Sequence, residues 1–374
     1  MYSVLSYGRM AVDAVRMDAY SRAIERTVRP GSIVVDLGCG TGIMSLLALR
    51  AGARRVHAVE MDPAVWLARD LARANGFGDK LVVHHGSSFD LTLDEPADVV
   101  LGDLRGSFPL FGKNLATMED AKRRLLAPSG VLIGARDRLF VALAETEALR
   151  QDLSRGWEAF ERNGFDATAA RLATLNYPYS DENAPVQASH VLSEAKAWGE
   201  VRYGEPFSPS LSATIDLPVT RGGAAHALVV WFEATIFDDI VYSNAPGQQL
   251  VYKRIVFPLL DSVRVAVGDV ARVTLRTDVG GDQWAWDTEI AGATRVRQAT
   301  FFGLPASPQS LLRESLVATP SRSTQGDRAA SILAMMDGTR SIREIVDTLV
   351  AAEPGVRREV IVDDVKRCAR RYGR

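Results

Sequence analysis

The stretch Ile33-Val34-Val35-Asp36-Leu37-Gly38-Cys39-Gly40-Thr41-Gly42 passes from an apolar run into a glycine-rich turn, and Glu60 ends a second apolar run eighteen residues further on. Residues 33–37 predict a buried strand, residues 43–50 the helix after it, and residues 56–60 the next strand. The glycines allow a tight turn and let the backbone approach a ligand that a side chain would exclude. Glu60 then stands at the mouth of the sheet, where a carboxylate can accept hydrogen bonds from a ribose diol. These features follow the nucleotide-binding logic of doubly wound α/β folds.

The third glycine narrows the ligand. A dinucleotide turn needs Gly-x-Gly-x-x-Gly to seat a pyrophosphate on a helix N-terminus. Here the glycines are Gly38, Gly40 and Gly42, and position 43 is Ile. The pattern resembles the first motif of class I S-adenosylmethionine (SAM) methyltransferases, whose ligand ends in an amino acid and carries no phosphate.

At 374 residues the chain is too long for one ordinary core and implies two or three domains. A formal charge of −2 gives no global field favouring nucleic acid or a membrane surface. No apolar run reaches the length of a membrane span, and Met1-Tyr2-Ser3 opens no signal peptide. Cys39 and Cys368 are the only thiols, which suggests a reducing cytoplasm and no disulfide framework. The five histidines show no metal spacing; His84 and His85 are strand neighbours and face opposite ways, so no bound metal is expected.

Along the chain, residues 9–26 predict one amphipathic helix, with Met10, Val15, Ala19 and Ile24 spaced to pack on the next domain. Strands and helices then alternate to about residue 145, as in a parallel sheet, with further strands at 81–85, 98–101 and, after a turn at Pro128, 130–133. Beyond residue 150, the stretches 227–235, 250–258, 263–268, 271–277 and 284–290 read as an antiparallel β domain. From about residue 305 the chain turns helical, and Ser341-Ile342-Arg343-Glu344 has the form of a capping box. The expected organisation is an N-terminal helix over the cofactor (1–28), a SAM-binding α/β domain (29–150), a β-barrel substrate and dimerisation domain (151–304) and a helical, winged-helix-like module (305–374).

Over about residues 5–300 the chain resembles the protein arginine methyltransferases. Met10-Ala11-Val12-Asp13-Ala14-Val15-Arg16-Met17-Asp18-Ala19-Tyr20 is similar to that family's Met-x-x-Asp-x-x-Arg-x-x-x-Tyr segment. The resemblance continues through the glycine turn and Glu60, and through residues 157–166, 226–232 and 252–257. It implies that Arg16 holds the SAM carboxylate, a contact that suits a guanidinium fork; without it, Arg16 reads as an ordinary solvated helix arginine. It also implies a cofactor set of Asp36, Gly38, Gly40, Thr41, Gly42, Glu60, Met61 and Ser88 beside Arg16, a β-barrel after the α/β domain, and a homodimer.

The acceptor side departs from the family pattern. The family holds a substrate guanidinium between two glutamates, and the matching loop here runs from Gly102 to Lys113. Asp103 falls at the first glutamate, one methylene shorter, and Gly112 falls at the second. Arg105 and Lys113 add positive charge, and the family's Thr-His-Trp segment matches Leu250-Val251-Tyr252, with no histidine. Loss of one partner of a buried charge pair costs about 3–5 kcal/mol, so the usual arginine mechanism is disfavoured.

Two readings follow. In the first, the protein is a SAM-dependent methyltransferase whose acceptor, on a peptide or protein side chain, is an imidazole, amide, hydroxyl or carboxylate. Asp103 then serves as catalytic orienting group or base, and Arg105 or Lys113 could hold an anionic acceptor. In the second, the chain is a SAM-binding, catalytically silent interaction protein, and Asp103 only satisfies loop amides. The C-terminal module resembles the small winged-helix domains that grip leader peptides in ribosomal peptide-natural-product pathways. Its basic residues Arg357, Arg358, Lys366, Arg367, Arg370 and Arg371 could attract an acidic leader peptide, or be solvated helix charges on a module that only caps or dimerises the enzyme. No membrane or nucleic-acid partner is expected.

Overall fold

The computed structural model describes residues 3–106, 108–280, 283–305 and 307–373; the expected loop residue Ser107 lies outside them. The chain divides into two compact units, Met1–Leu304 and Pro305–Arg374.

The first unit opens with α1 (Val4–Ala11) and α2 (Ala14–Thr27), two helices where the periodicity predicts one. Asp13 breaks them. Its carboxylate caps α2 by accepting from the Arg16 amide at 3.2 Å and also takes the Val251 amide at 2.8 Å. Satisfying otherwise orphaned N–H groups in this way is what an N-cap contributes. Ala19 and Ile24 are buried as expected, but Val15 is 47% exposed because the break turns the first turn of α2 outward.

Next come β1 (Ile33–Leu37), α3 (Ile43–Arg50), β2 (Arg55–Glu60), α4 (Val65–Ala74), β3 (Leu81–His85), β4 (Ala97–Gly102), α5 (Asn114–Arg124) and β5 (Leu126–Ile133). The five strands form a parallel sheet in the order β3-β2-β1-β4-β5. All five residues of β1 are buried, as a central strand covered on both faces requires. Pro128 lies inside β5 rather than in a turn before it. That position is tolerated because β5 is an edge strand, where the missing N–H leaves no ladder bond unmade.

The chain then folds into β6 (Arg136–Ala144), α6 (Glu147–Arg162), α7 (Thr168–Leu175), β7 (Tyr179–Ser180), β8 (Lys196–Arg202), β9 (Ser210–Pro218), β10 (Gly223–Phe237), β11 (Ile240–Ser243), β12 (Ile255–Val265), β13 (Val270–Asp278), β14 (Trp284–Ile290), β15 (Val296–Ala299) and α8 (Thr300–Gly303). These strands make two antiparallel sheets, β7-β12-β10-β6-β8 with β11 on β10, and β15-β14-β13-β9. β6 pairs with β10 along nine residues, so the antiparallel sheets begin at Arg136. Residues 250–254 form a loop, and one strand, β12, covers the two short runs expected around Pro258 and Val263. Side chains from the parallel and antiparallel layers, including Leu37, Leu101, Leu139 and Phe232, share one hydrophobic core.

The second unit contains α9 (Pro308–Glu314), α10 (Thr324–Met335), α11 (Ile342–Ala352) and α12 (Arg358–Tyr372). Ile332, Ile345, Val346, Leu349, Ile361 and Val365 form its core. The capping box is present in both directions: the Ser341 amide donates to Glu344 at 2.7 Å, and the Glu344 amide to Ser341 Oγ at 3.3 Å. Among its described residues there is no strand, so the expected wing is missing from them.

Candidate active site

A cavity of about 1140 Å³ lies at the C-terminal end of the parallel sheet and reaches the antiparallel domain. Open α/β sheets bind ligands at this end, beyond the carboxyl ends of the strands. Its walls include Arg16, Asp36, Gly38, Cys39, Gly40, Thr41, Glu60, Met61, Asp103 and Tyr252.

The glycine turn is built on positive backbone angles, with φ of +66°, +53° and +81° at Gly38, Gly40 and Gly42. A Cβ on Gly40 would lie 2.5 Å from the Tyr7 ring, and one on Gly42 would lie 2.7 Å from Ala68 Cβ, so packing as well as conformation excludes a side chain. Gly42 caps α3 without lining the cavity. Asp36 is buried and accepts from Ser45 Oγ at 2.5 Å; burial nevertheless pushes its carboxyl up to about 7. Burial, and then the nearby Asp36 and Glu60 charges, also raise the Cys39 thiol, which makes it a poor nucleophile.

Glu60 ties the turn to the next loop. Oε2 accepts from the Gly40 amide at 3.0 Å and Oε1 from the Asp62 amide at 2.9 Å. A carboxylate has about four lone-pair sites, so two remain to accept from a ligand diol. Thr41 and Met61 stand on the same wall. Ser88 does not reach the cavity lining: it begins a short 3₁₀ turn, Ser88–Asp90, and its carbonyl accepts from Arg124 Nη2 at 2.7 Å.

Arg16 faces the junction of the two halves. Its Nε donates to Asp103 Oδ2 at 2.5 Å and its Nη1 to the Met10 carbonyl at 3.1 Å, which leaves Nη2 without a hydrogen-bond partner among the described residues. Burial is the largest influence and works against its charge, but Asp103, Tyr252 and Tyr20 together outweigh it and hold the guanidinium ionised. Asp103 takes two further donors on Oδ1, Arg105 Nη1 at 2.9 Å and Tyr252 Oη at 2.5 Å. Burial alone would raise its pKa, but the Arg16 and Arg105 charges lower it to about 2. A carboxylate so held orients its neighbours and stays ionised at neutral pH, with low affinity for a proton.

The expected part for Arg105 changes most. Its side chain is 1% exposed and clasps Asp137 with Nε to Oδ2 at 2.8 Å and Nη2 to Oδ1 at 2.9 Å. Nη1 donates to Tyr20 Oη at 2.8 Å as well as to Asp103. The rings of Tyr203, Phe232 and Tyr242 surround the guanidinium at 5.4, 5.8 and 5.9 Å. With every nitrogen engaged, Arg105 cannot receive an anionic acceptor. Lys113 is exposed and does not line the cavity, so it does not serve either. At Gly112, with φ +63°, a Cβ would have nothing within 4 Å, and no side chain from that position enters the site.

The cavity is also walled by Phe111, Tyr177, Tyr179, Glu182, Lys253 and Trp284. Sequence reasoning did not single out Asp137, Tyr203 or Glu182, and it quoted Tyr20 only as the end of the Met10–Tyr20 segment, without a role. β6 opens Arg136-Asp137-Arg138 before its apolar run, so no sequence signal set Asp137 apart from its charged neighbours as the buried one, although a fully buried acid is rare unless paired. Among the described residues, no group of three or more His, Cys, Asp or Glu is placed to hold a metal ion.

Comparison with known proteins agrees with this layout. The family profile of ribosomal protein L11 methyltransferase (PrmA) matches residues 21–133. A probable protein arginine N-methyltransferase 6 of Arabidopsis thaliana is 36% identical over 135 residues, 36% of this chain and 31% of that protein. That match therefore spans about a third of the relative's length. A probable protein arginine N-methyltransferase 1.2 of the same plant is 26% identical over 269 residues, covering 70% of this chain and 72% of the relative.

Among solved structures, the Trypanosoma brucei PRMT1 enzyme-prozyme heterotetrameric complex with AdoHcy superposes with a TM-score of 0.70 at 22% identity, covering 78% of this chain and 96% of that one. Arabidopsis thaliana protein arginine methyltransferase 10 gives 0.69 at 21% identity, covering 79% and 97%. The chain is thus like the protein arginine methyltransferases, with a parallel Rossmann-like sheet followed by an antiparallel sheet domain as in those structures.

Proposed function

We propose that the protein is a SAM-dependent methyltransferase that modifies a peptide or protein side chain, by a route other than clamping a guanidinium between two carboxylates. The observation that carries this reading is a single cavity joining the glycine turn and Glu60 to Asp103, Tyr252 and an aromatic acceptor wall. The residues present suit the cofactor. Glu60 has accepting capacity left for a diol, and Arg16 has Nη2 left for a carboxylate. Gly38 and Gly40 leave their side of the cavity without side chains. Bound there, SAM would supply an electrophilic methyl group on a sulfonium.

The chain's own task is alignment, the main requirement of such a transfer. Asp103 fixes Arg16 on the donor side and Tyr252 on the acceptor side, and its charge is already matched by Arg16 and Arg105. Calorimetric titration with SAM and with NAD tests the donor assignment: SAM is expected to bind and NAD to bind at least tenfold more weakly, and the reverse preference contradicts it.

One observation favours the silent reading. Asp103 remains ionised and already accepts from Arg16, Arg105 and Tyr252, which leaves the exposed Glu182 as the acid beside the aromatic residues of the cavity wall. SAM binding without transfer to any protein would decide for that reading.

The catalytic unit is proposed to pair with a second copy, supported by Phe160, Phe165 and Leu172, which are 45%, 60% and 46% exposed on and between α6 and α7. The C-terminal helices are proposed to hold an acidic leader peptide. With no strand described there, a helix groove replaces the sheet edge as the docking mode. Of the basic residues, Arg358 already pairs with Asp347 and Arg367 with Asp364, while Arg370 has no ionic partner among the described residues.

A further inference from the structure

We propose that Arg105 is a built-in guanidinium that occupies the place of a cationic acceptor at Asp103, and so determines that the acceptor is a neutral side chain. This deepens the methyl-transfer reading and rests on it for the identity of the acceptor half.

The surroundings of Arg105 have the form of a ligand site filled by the chain itself. One carboxylate, Asp137, binds the guanidinium edge with two parallel bonds, Asp103 and the Tyr20 hydroxyl take Nη1, and aromatic rings lie over it. Planar bidentate pairing and ring contact are the features by which a free guanidinium is recognised. Here the ligand is covalently attached, two residues beyond the carboxylate it shares.

The charges settle what else can enter. Arg16 and Arg105 face Asp103 and Asp137, so the buried cluster is already neutral. A cationic acceptor brought beside Asp103 would be a third positive charge near two guanidiniums, and the carboxylate on the aromatic side of the cavity, Glu182, is exposed. Desolvating an uncompensated charge costs several kcal/mol. A neutral acceptor, such as an imidazole or an amide, meets no such penalty and lies against Phe111, Tyr177 and Trp284.

The test uses the full chain without methyl donor. Arg105→Ala opens the filled site. It is expected to lower the melting temperature, and low-millimolar guanidinium chloride is expected to restore at least half of that loss, while equal sodium chloride restores none and the wild type gains nothing. Arginine amide is expected to bind the variant at least tenfold more tightly than the wild type. Where the alanine variant does not fold, Arg105→Met keeps most of the volume and removes one of the two donors on Asp103 Oδ1, leaving Tyr252, and the same tenfold gain is expected of it. Guanidinium acting no better than sodium chloride on folded Arg105→Ala, or equal affinity of arginine amide for wild type and variant, would overturn the proposal. None of these readouts involves SAM, so their failure leaves methyl transfer standing, and failure to bind SAM leaves them interpretable.

Discussion

Arg105, in the loop after β4, and Asp137, on β6, meet through two parallel hydrogen bonds of 2.8 and 2.9 Å, both side chains closed to solvent. The pair ties the loop after the parallel strand β4 to the antiparallel domain, and Arg105 also donates to Asp103, which lines the cavity. Burial opposes the charge on Arg105, and Asp137 together with Tyr20, Tyr242 and Tyr203 outweighs it, so the guanidinium stays ionised.

Removing one side of this pair strands the other. Asp137→Ala is expected to cost about 3–5 kcal/mol, because Arg105 is left buried with less than its charge. Urea denaturation followed by circular dichroism measures this. The double variant Arg105→Met, Asp137→Leu is expected to lose less than the single one, since no unpaired charge remains.

On the donor side, Glu60→Ala and Arg16→Ala are each expected to weaken SAM binding at least tenfold in calorimetry, about 1.4 kcal/mol or more. Ser88→Ala is expected to leave the affinity unchanged, because Ser88 does not line the cavity.

Acid should weaken the parallel sheet through its histidines. His57 on β2 and His84 on β3 meet Nδ1 to Nε2 at 2.9 Å, and burial, then the adjacent His84, lowers His57 from 6.5 to about 4. Between those values the unfolded chain binds a proton that the folded chain refuses. The contribution is therefore complete above pH 6.5 and is lost as the pH falls toward 4. His57→Leu is expected to flatten the dependence of the urea midpoint on pH across this window.

The two units have separate cores. Truncation after Leu304 is expected to leave SAM affinity unchanged and to weaken capture of an acidic peptide, measured by fluorescence anisotropy with a labelled probe. Equal peptide affinity with and without residues 305–374 would remove the leader-peptide assignment.

The donor half was legible because it is local. A buried strand, glycines that need positive φ and a carboxylate at the next strand end lie within thirty residues, and Gly40 and Glu60 meet as that spacing requires. The Ser341–Glu344 capping box is local too. The acceptor half depends on contacts between distant residues. Arg105 and Asp137 are 32 apart in sequence, and Asp103 and Tyr252 are 149 apart. No periodicity announces that a positive charge beside the cavity is turned inward and satisfied. The break at Asp13 was hidden because its second partner, the Val251 amide, lies 238 residues away.

Transfer itself is the most direct test. The full-length protein, incubated with methyl-labelled SAM and a protein extract, would be analysed by acid hydrolysis and mass spectrometry of the labelled amino acid. The expected result is label on a side chain that is neutral at the reaction pH. Label recovered as methylarginine, or no label on any protein while SAM is bound, would contradict it.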